Sequence, residues 1–361
     1  MSNSKSHTVV DKDSNAYPHH HAIVEPTANT SPIHASPATH CNKLARFDWQ
    51  PSSLCPQMYE TMIPIKGDLQ LCVEAGGNPQ NPPIILIMGL GSQMVFWPNS
   101  FIQRLIQAGF FVIRFDNRDI GLSSKIYRDD IKISKSNLIQ MMLRLQTGLS
   151  NRHTKVAYHL TDLAEDTAQL IQALDLGKVH LIGASMGGMI AQILAAQYPH
   201  LIQRMGLLFT TNNHPFLPTP KPKQLYTFFK KPDSLNQEDV IRHSLWFMET
   251  VGSPGHINIQ QTNHIAKIRY QRNFYPRGTV QQLHAILATG AITHYSRQVT
   301  APTLILHGSQ DGLLPLSHGR RVARDIPNAQ FQLIDGMGHD IPAYYQPFIV
   351  QKLAQHFASS I

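Results

Sequence analysis

A serine between glycines, an aspartate and a histidine, each just past its own apolar run, are the residues of this chain best placed to do chemistry. Gly183-Ala184-Ser185-Met186-Gly187 follows the run Val179-His180-Leu181-Ile182 and leads into a stretch from Met189 to Ala196 that reads as a helix. Strand, sharp turn and helix with Ser at the apex form a nucleophile elbow. So tight a turn forces Ser185 into a strained backbone conformation and lifts its hydroxyl clear of the sheet edge. Strand and helix then pass close together, so the positions two before and two after the Ser need glycine, and Gly183 and Gly187 occupy them. The helix N-terminus beneath Ser185 favours developing negative charge. A glycine-containing turn with a solvated serine meets the same short pattern, so the partners decide.

A Ser hydroxyl attacks only when a base takes its proton, and the base must be held by a third group. In a strand–turn–helix setting the expected order along the chain is Ser, acid, His. The strand Pro302–His307 is followed by Gly308-Ser309-Gln310-Asp311-Gly312, and the strand Phe331–Ile334 by Asp335-Gly336-Met337-Gly338-His339. Asp311 and His339 are therefore the expected acid and base, each on a loop at a strand's carboxyl end. The bland reading of Asp311 is a turn residue before Gly312. Asp335 is the local rival, but it lies too few residues before His339 to come from a separate strand end. His180 and His307 read as packed or solvated strand histidines, and Asp116 and Arg118 as pins for their own loop. An oxyanion needs two preorganised donors. The expected pair is the Met186 N–H and, from the loop after Ile84–Met88, the Leu90 N–H, with Gly89 and Gly91 letting that backbone approach a substrate. A dinucleotide reading of Gly89-Leu90-Gly91 fails because Met94 stands at the third Gly position, and Gly183–Gly188 lacks the Lys-Ser/Thr of a phosphate loop.

The elements that must position these groups alternate. Met58–Ile65 and Leu69–Glu74 read as an opening hairpin, and Ile84–Met88 and Phe110–Phe115 as buried strands with a helix from Asn99 to Ala108 between them. A short amphipathic helix, Leu138–Leu145, is expected near the mouth of the site. Thr161 is the expected N-cap of the helix preceding the elbow. Strand Met205–Phe209 ends the first run. From Thr210 to Ser296 the alternation stops and helices are expected at 238–249, 258–272 and 280–288. It resumes with the strands before Asp311 and His339 and closes with a helix at 346–357. The resulting division is a core of residues 56–211 and 297–361, a helical cap of residues 212–296, and a disordered Ser/His/Pro-rich tail of residues 1–55. The predicted fold is α/β, a mostly parallel sheet wrapped by helices, with ligands beyond the carboxyl ends of the strands. Aromatic residues such as Phe216, Tyr226, Phe228, Trp246, Phe247 and Phe274 fall in the cap and are expected above Ser185, where several would line an apolar pocket.

Of 361 residues, 42% are hydrophobic and 15% charged, which allows a sizeable core and excludes global disorder. The formal charge is +8, but apart from Lys221, Lys223, Lys230 and Lys231 the basic residues are scattered, with no basic stripe for nucleic acid. Three cysteines without C-x-x-C predict no disulfide framework and a reducing, cytoplasmic setting. No stretch reaches the length of a membrane span and no apolar secretory run opens the chain, so stable membrane insertion is not expected. His19-His20-His21, with His7, His34 and His40, share no ligand-like spacing with a carboxylate or Cys, and no metal site is expected.

On these residues, from about Met58 onward, the chain resembles the α/β-hydrolase superfamily. Ile87-Met88-Gly89, Phe96-Trp97-Pro98, the run Val112–Asp119, Gly183–Gly187 and Gly336–His339 are most similar to the bacterial subgroup containing aclacinomycin methylesterase. The resemblance implies a Ser-His-Asp carboxylic ester hydrolase of a small-molecule ester that needs no cofactor. By motif, Ser185 takes the nucleophile's place, Asp311 the acid's and His339 the base's, while Leu90 and Met186 match the oxyanion-hole positions. Met88-Gly89 departs from the His-Gly of many relatives, and the cap matches no known specificity. The superfamily also hosts peptidases, lactonases, acyltransferases and carbon–carbon bond hydrolases, which fold and triad together do not separate. A non-catalytic ligand-binding relative would be free to lose a triad member, and none is missing here.

Overall fold

The computed structural model of the chain describes residues 44–131 and 134–358. Its centre is a sheet with strand order β1-β2-β3-β5-β4-β6-β7-β8-β9 among the described residues. The strands are β1 (Gln50–Pro51), β2 (Met58–Pro64), β3 (Gln70–Gly76), β4 (Pro83–Ile87), β5 (Phe111–Phe115), β6 (Val179–Ala184), β7 (Ile202–Leu208), β8 (Thr303–Gly308) and β9 (Gln330–Ile334). β1, β2 and β3 pair antiparallel, β3 joins β5 antiparallel, and every later pairing is parallel. The chain leaves β4 for β5 on one side and returns past it to β6 on the other. That reversal opens a crevice at the carboxyl ends of β4 and β6.

The buried runs become central strands because each alternates between two apolar layers. Ile85, Ile87, Ile113, Leu181 and Leu207 face one core cluster. Ile84, Leu86, Val112, Ile182 and Leu208 face the other. Helix α1 (Asn99–Gln107) covers the second face with Phe101, Ile102 and Leu105. On the first face lie α3 (Leu160–Ala173) and α4 (Met186–Gln197), separated from α1 in sequence by α2 (Lys135–Gln146). Nearly all of α4 is buried, which accounts for a sequence apolar on every side. The cap of α3 is His159 rather than Thr161. The His159 N–H donates to the carboxylate of Asp162 at 2.7 Å, so the helix starts two residues earlier than the Thr implied.

The expected tail ran to residue 55, and its last stretch is instead part of the fold. Leu44 and Trp49 are buried in the first core cluster, and Cys55 is buried in the second. Trp49 Nε1 donates to Leu44 O at 3.0 Å. These few large residues anchor a segment whose average composition is polar. Residues 1–43, with their histidines and Cys41, lie outside the described residues.

Between β7 and β8 the chain forms α5 (Pro222–Tyr226), α6 (Gln237–Val251), α7 (Ile259–Asn273), α8 (Pro276–Thr289) and α9 (Thr293–Ser296). Then α10 (Ser317–Asp325) and α11 (Gln346–Ala358) complete the wrapping of the sheet. The inserted segment is not a layer apart. Ala285 of α8 and Ile292 belong to the same buried cluster as Leu160 and Leu163 of α3.

Candidate active site

Ser185 has φ 54° and ψ −119°, a conformation that L-residues avoid and that the elbow imposes. A Cβ at Gly187 would sit 1.9 Å from Ile87 O, and one at Gly183 2.5 Å from Gly187 O, so helix and strand meet with no room for a side chain. The elbow backbone is fastened to β7. Ser185 N–H donates to Leu208 O at 3.0 Å, and Thr210 Oγ1 donates to Ser185 O at 2.6 Å. That hydroxyl, just past β7, has no counterpart in the short motif and was not foreseen.

Asp311 and His339 come to Ser185 from the ends of β8 and β9. His339 Nε2 lies 3.0 Å from Ser185 Oγ, and His339 Nδ1 lies 2.8 Å from Asp311 Oδ2. An ionised carboxylate only accepts, so Nδ1 carries the proton and Nε2 presents its lone pair to the serine hydroxyl. The Asp311 side chain is fully buried. Burial pushes its carboxyl up, but the adjacent His339 imidazole, its hydrogen bond and His307 outweigh this and hold it below the ordinary carboxylate range. Asp311 Oδ1 accepts from Leu313 N–H at 2.9 Å and Leu314 N–H at 2.8 Å, which fixes the carboxylate plane.

Asp335, the rival acid, is exposed and accepts from Ser309 Oγ at 2.8 Å, away from His339. His180 is packed, with its ring 4.4 Å from that of Phe357. His307 is buried behind Asp311, donating from Nε2 to Leu314 O at 2.8 Å, with that nitrogen 3.6 Å from Asp311 Oδ2. Burial lowers its pKa. Asp116 does pin its loop: Oδ1 accepts from Met94 N–H at 2.7 Å and Oδ2 from Leu122 N–H at 3.0 Å and Arg272 Nη1 at 2.7 Å. Arg118 binds Asp166, with Nε 2.6 Å from Oδ2.

The histidine loop is clamped by the end of α6, which sequence reasoning missed. His339 N–H donates to Val251 O at 2.8 Å, Gly338 N–H to Ser253 Oγ at 2.9 Å, and Ser253 N–H to Asp340 Oδ1 at 2.9 Å. Asp340 follows His339 directly. A carboxylate beside a candidate base was the one available signal for this contact.

Leu90 and Met186 line the same cavity as Ser185 and His339. Met186 opens α4, so its N–H is among the first four without an intrahelical acceptor. The cavity holds about 1410 Å³, above the range of about 300–1,000 Å³ usual for ligand pockets. Ile139, Met142 and Leu143 of α2 line it, as do Phe228, Phe229, Phe247, Phe274 and Tyr275 of the inserted segment. Phe216, Tyr226 and Trp246 do not. Phe216 is 76% exposed, and Trp246 instead supports Lys230, whose Nζ is 4.2 Å from the ring centre. Among the described residues no group of three or more His, Cys, Asp or Glu could hold a metal, and no helix is long and apolar enough to cross a membrane.

The mostly parallel sheet wrapped by helices is a fold that comparison with known proteins also finds. A family model described as the alpha/beta hydrolase fold matches residues 82–244. The chain belongs to the α/β-hydrolase family. It is 30% identical to a poly(3-hydroxyalkanoate) depolymerase of Ectopseudomonas oleovorans, over 73% of this chain and 80% of that protein. It is 24% identical to a rhodomycin D methylesterase of Streptomyces peucetius, over 81% of this chain and 97% of that protein. Among solved structures, a 2-hydroxy-6-oxo-6-phenylhexa-2,4-dienoate hydrolase from Rhodococcus sp. strain RHA1 superposes with a TM-score of 0.61 at 17% identity, covering 87% of this chain and all of that one.

Proposed function

We propose that the chain is a serine hydrolase that cleaves carboxylic esters of small to medium apolar molecules through an acyl-enzyme. The observation that carries this reading is the hydrogen-bonded sequence Ser185 Oγ, His339, Asp311, with steps of 3.0 and 2.8 Å. Ser185 Oγ bonds to the ester carbonyl carbon while its proton passes to His339 Nε2. The carbonyl oxygen, now negative, accepts from the N–H groups of Leu90 and Met186. Asp311 holds the imidazolium in place without taking its proton. Collapse breaks the carbon–oxygen bond to the alcohol, which leaves with the proton from Nε2. Water then gives a proton to His339 and attacks the acyl group, and the carboxylic acid departs as Ser185 regains its hydrogen. No cofactor enters these steps. The methylesterase relative supports the choice of ester, and the apolar lining supports a substrate without charge near the reacting carbon.

An aryl-ester series of rising acyl length tests this. Each buried methylene contributes about 0.8 kcal/mol, so kcat/KM should rise roughly fourfold per methylene until the pocket is full. Ser185→Ala should remove turnover by about 10⁶-fold. Faster turnover of a lactone, an arylamide or an activated carbon–carbon substrate than of any ester would keep the triad and overturn the substrate class. A folded Ser185→Ala protein with near-normal turnover would overturn the mechanism.

A further inference from the structure

The loop after β4 is held partly by the core and partly by the inserted segment. Its own turn satisfies Gly89 O, which accepts from Ser92 N–H at 3.2 Å, and Leu90 O, which accepts from Ser92 Oγ at 3.3 Å. Met88 O accepts from Asn117 Nδ2 of the core at 3.3 Å, and both contacts of Gly91 come from the inserted segment. Gly91 N–H donates to Gln282 Oε1 on α8 at 2.9 Å, and Gly91 O accepts from Arg269 Nη2 on α7 at 3.2 Å. In the stretch from Leu90 to Gly91, the Leu90 N–H alone is left without an acceptor among the described residues. The loop backbone lies directly on α8: Gly91 has φ +66°, and a Cβ there would fall 2.7 Å from the Thr279 side chain.

Gln282 is fully buried, and its Nε2 donates to Arg118 O at 3.2 Å. Arg118 is itself held by Asp166. The amide thus braces the loop after β4 against the loop after β5. Gln93 adds a second tie, donating to Arg269 O at 2.8 Å and Asn273 O at 2.9 Å.

We propose that Gln282 is a positioning residue for catalysis: it fixes the Leu90–Gly91 peptide so that the Leu90 N–H faces the developing oxyanion before charge appears there. A donor lowers a barrier only if it is oriented in advance, because reorienting during the reaction costs what the hydrogen bond returns. Without the Gln282 acceptor the Leu90–Gly91 peptide keeps only the long local contact from Ser92 Oγ, so it can turn, and the neighbouring Gly89–Leu90 peptide turns with it. The inserted segment then does more than cover the cavity; it completes the reaction centre.

The inference rests on Ser185 as nucleophile, and the test separates the two. The probe is an alkyl boronic acid, which forms a tetrahedral adduct with a nucleophilic serine, compared with a non-reactive amide isostere of the substrate. If the wild-type protein binds no boronate, the nucleophile reading fails. If it does, Gln282→Met should lower kcat and boronate affinity together by about 10²-fold, the scale of one lost oxyanion donor, with KM and amide affinity held. Gln282→Glu, which keeps an oxygen to accept the Gly91 N–H, should recover part of both. Should Gln282→Met fail to fold, Gln282→Asn, one methylene too short to reach Gly91, must show the same split. Unchanged kcat and boronate affinity, equal losses in both ligands, or no recovery with Glu would overturn the proposal.

Discussion

Ser185 and Leu90 sit at the ends of neighbouring strands, β6 and β4, yet different parts of the chain hold them in place. Ser185 is fixed by its own helix and by β7, through Leu208 O and Thr210 Oγ1, so its support is core throughout. Leu90 sits in a loop tied to Gln282 and Arg269 of the inserted helices. His339 falls between the two: Asp311 comes from the core, and Val251 and Ser253 come from the end of α6. The hydrogen bonds that hold these three groups therefore come partly from the core and partly from the insertion. On the proposed mechanism, a change in the inserted helices should alter the chemistry as well as the fit of a substrate.

The core half should be the harder to weaken without losing everything. Asp311→Asn leaves His339 in the wrong tautomer and should cost about 10⁴-fold in kcat, whereas Asp335→Asn should leave kcat near wild type. If the two results came out reversed, the acid would be Asp335 and the geometry at β8 incidental. On the insertion half, Ser253→Ala strips the acceptor from Gly338 N–H. With the histidine loop loosened, kcat should fall roughly tenfold while KM changes little. A loss confined to KM would show that α6 shapes only the substrate pocket.

A further effect concerns stability alone and leaves kcat untouched. Burial pulls the His180 imidazole down from 6.5 to about 4, and Arg204 and His356 add to the shift. Between those values the unfolded chain binds more protons than the folded one, so stability is full above about 6.5 and declines as pH falls towards 4. Such a difference is worth up to about 3 kcal/mol. In His180→Leu the melting temperature should fall less than that of the wild type between about pH 7 and pH 4.5, with kcat at neutral pH retained. Parallel melting curves in the two proteins would place the acid sensitivity elsewhere, for instance on His307 or His318, whose burial also lowers their pKa.

The strand–helix alternation and the positions of Ser185, Asp311 and His339 were legible because they depend on local patterns. Apolar runs of strand length, glycines where backbones cross and loops just past strand ends are all short-range signals. Helices α6, α7 and α8 were legible from periodicity for the same reason. What they touch was not. Gln282 meets Gly91 across 191 positions, and Ser253 meets Gly338 across 85, and a lone Gln or Ser carries no mark of such a contact. The tail boundary failed for a related reason. Composition averaged over residues 1–55 hid Leu44, Trp49 and Cys55, whose burial depends on where the core lies. Phe216 and Trp246 fit the aromatic content of a pocket wall, but residue type does not say which side of a helix or turn faces inward.

Covalent capture tests the central claim most directly. An alkyl fluorophosphonate should add one equivalent to the wild-type protein, with loss of fluoride. Peptide mass analysis should place the adduct on Ser185, and hydrolysis of the best aryl ester should stop in step with labelling. Ser185→Ala, with an unchanged melting temperature, should take up no label. An adduct on another residue with ester turnover abolished, or full turnover after Ser185 is labelled, would contradict the account.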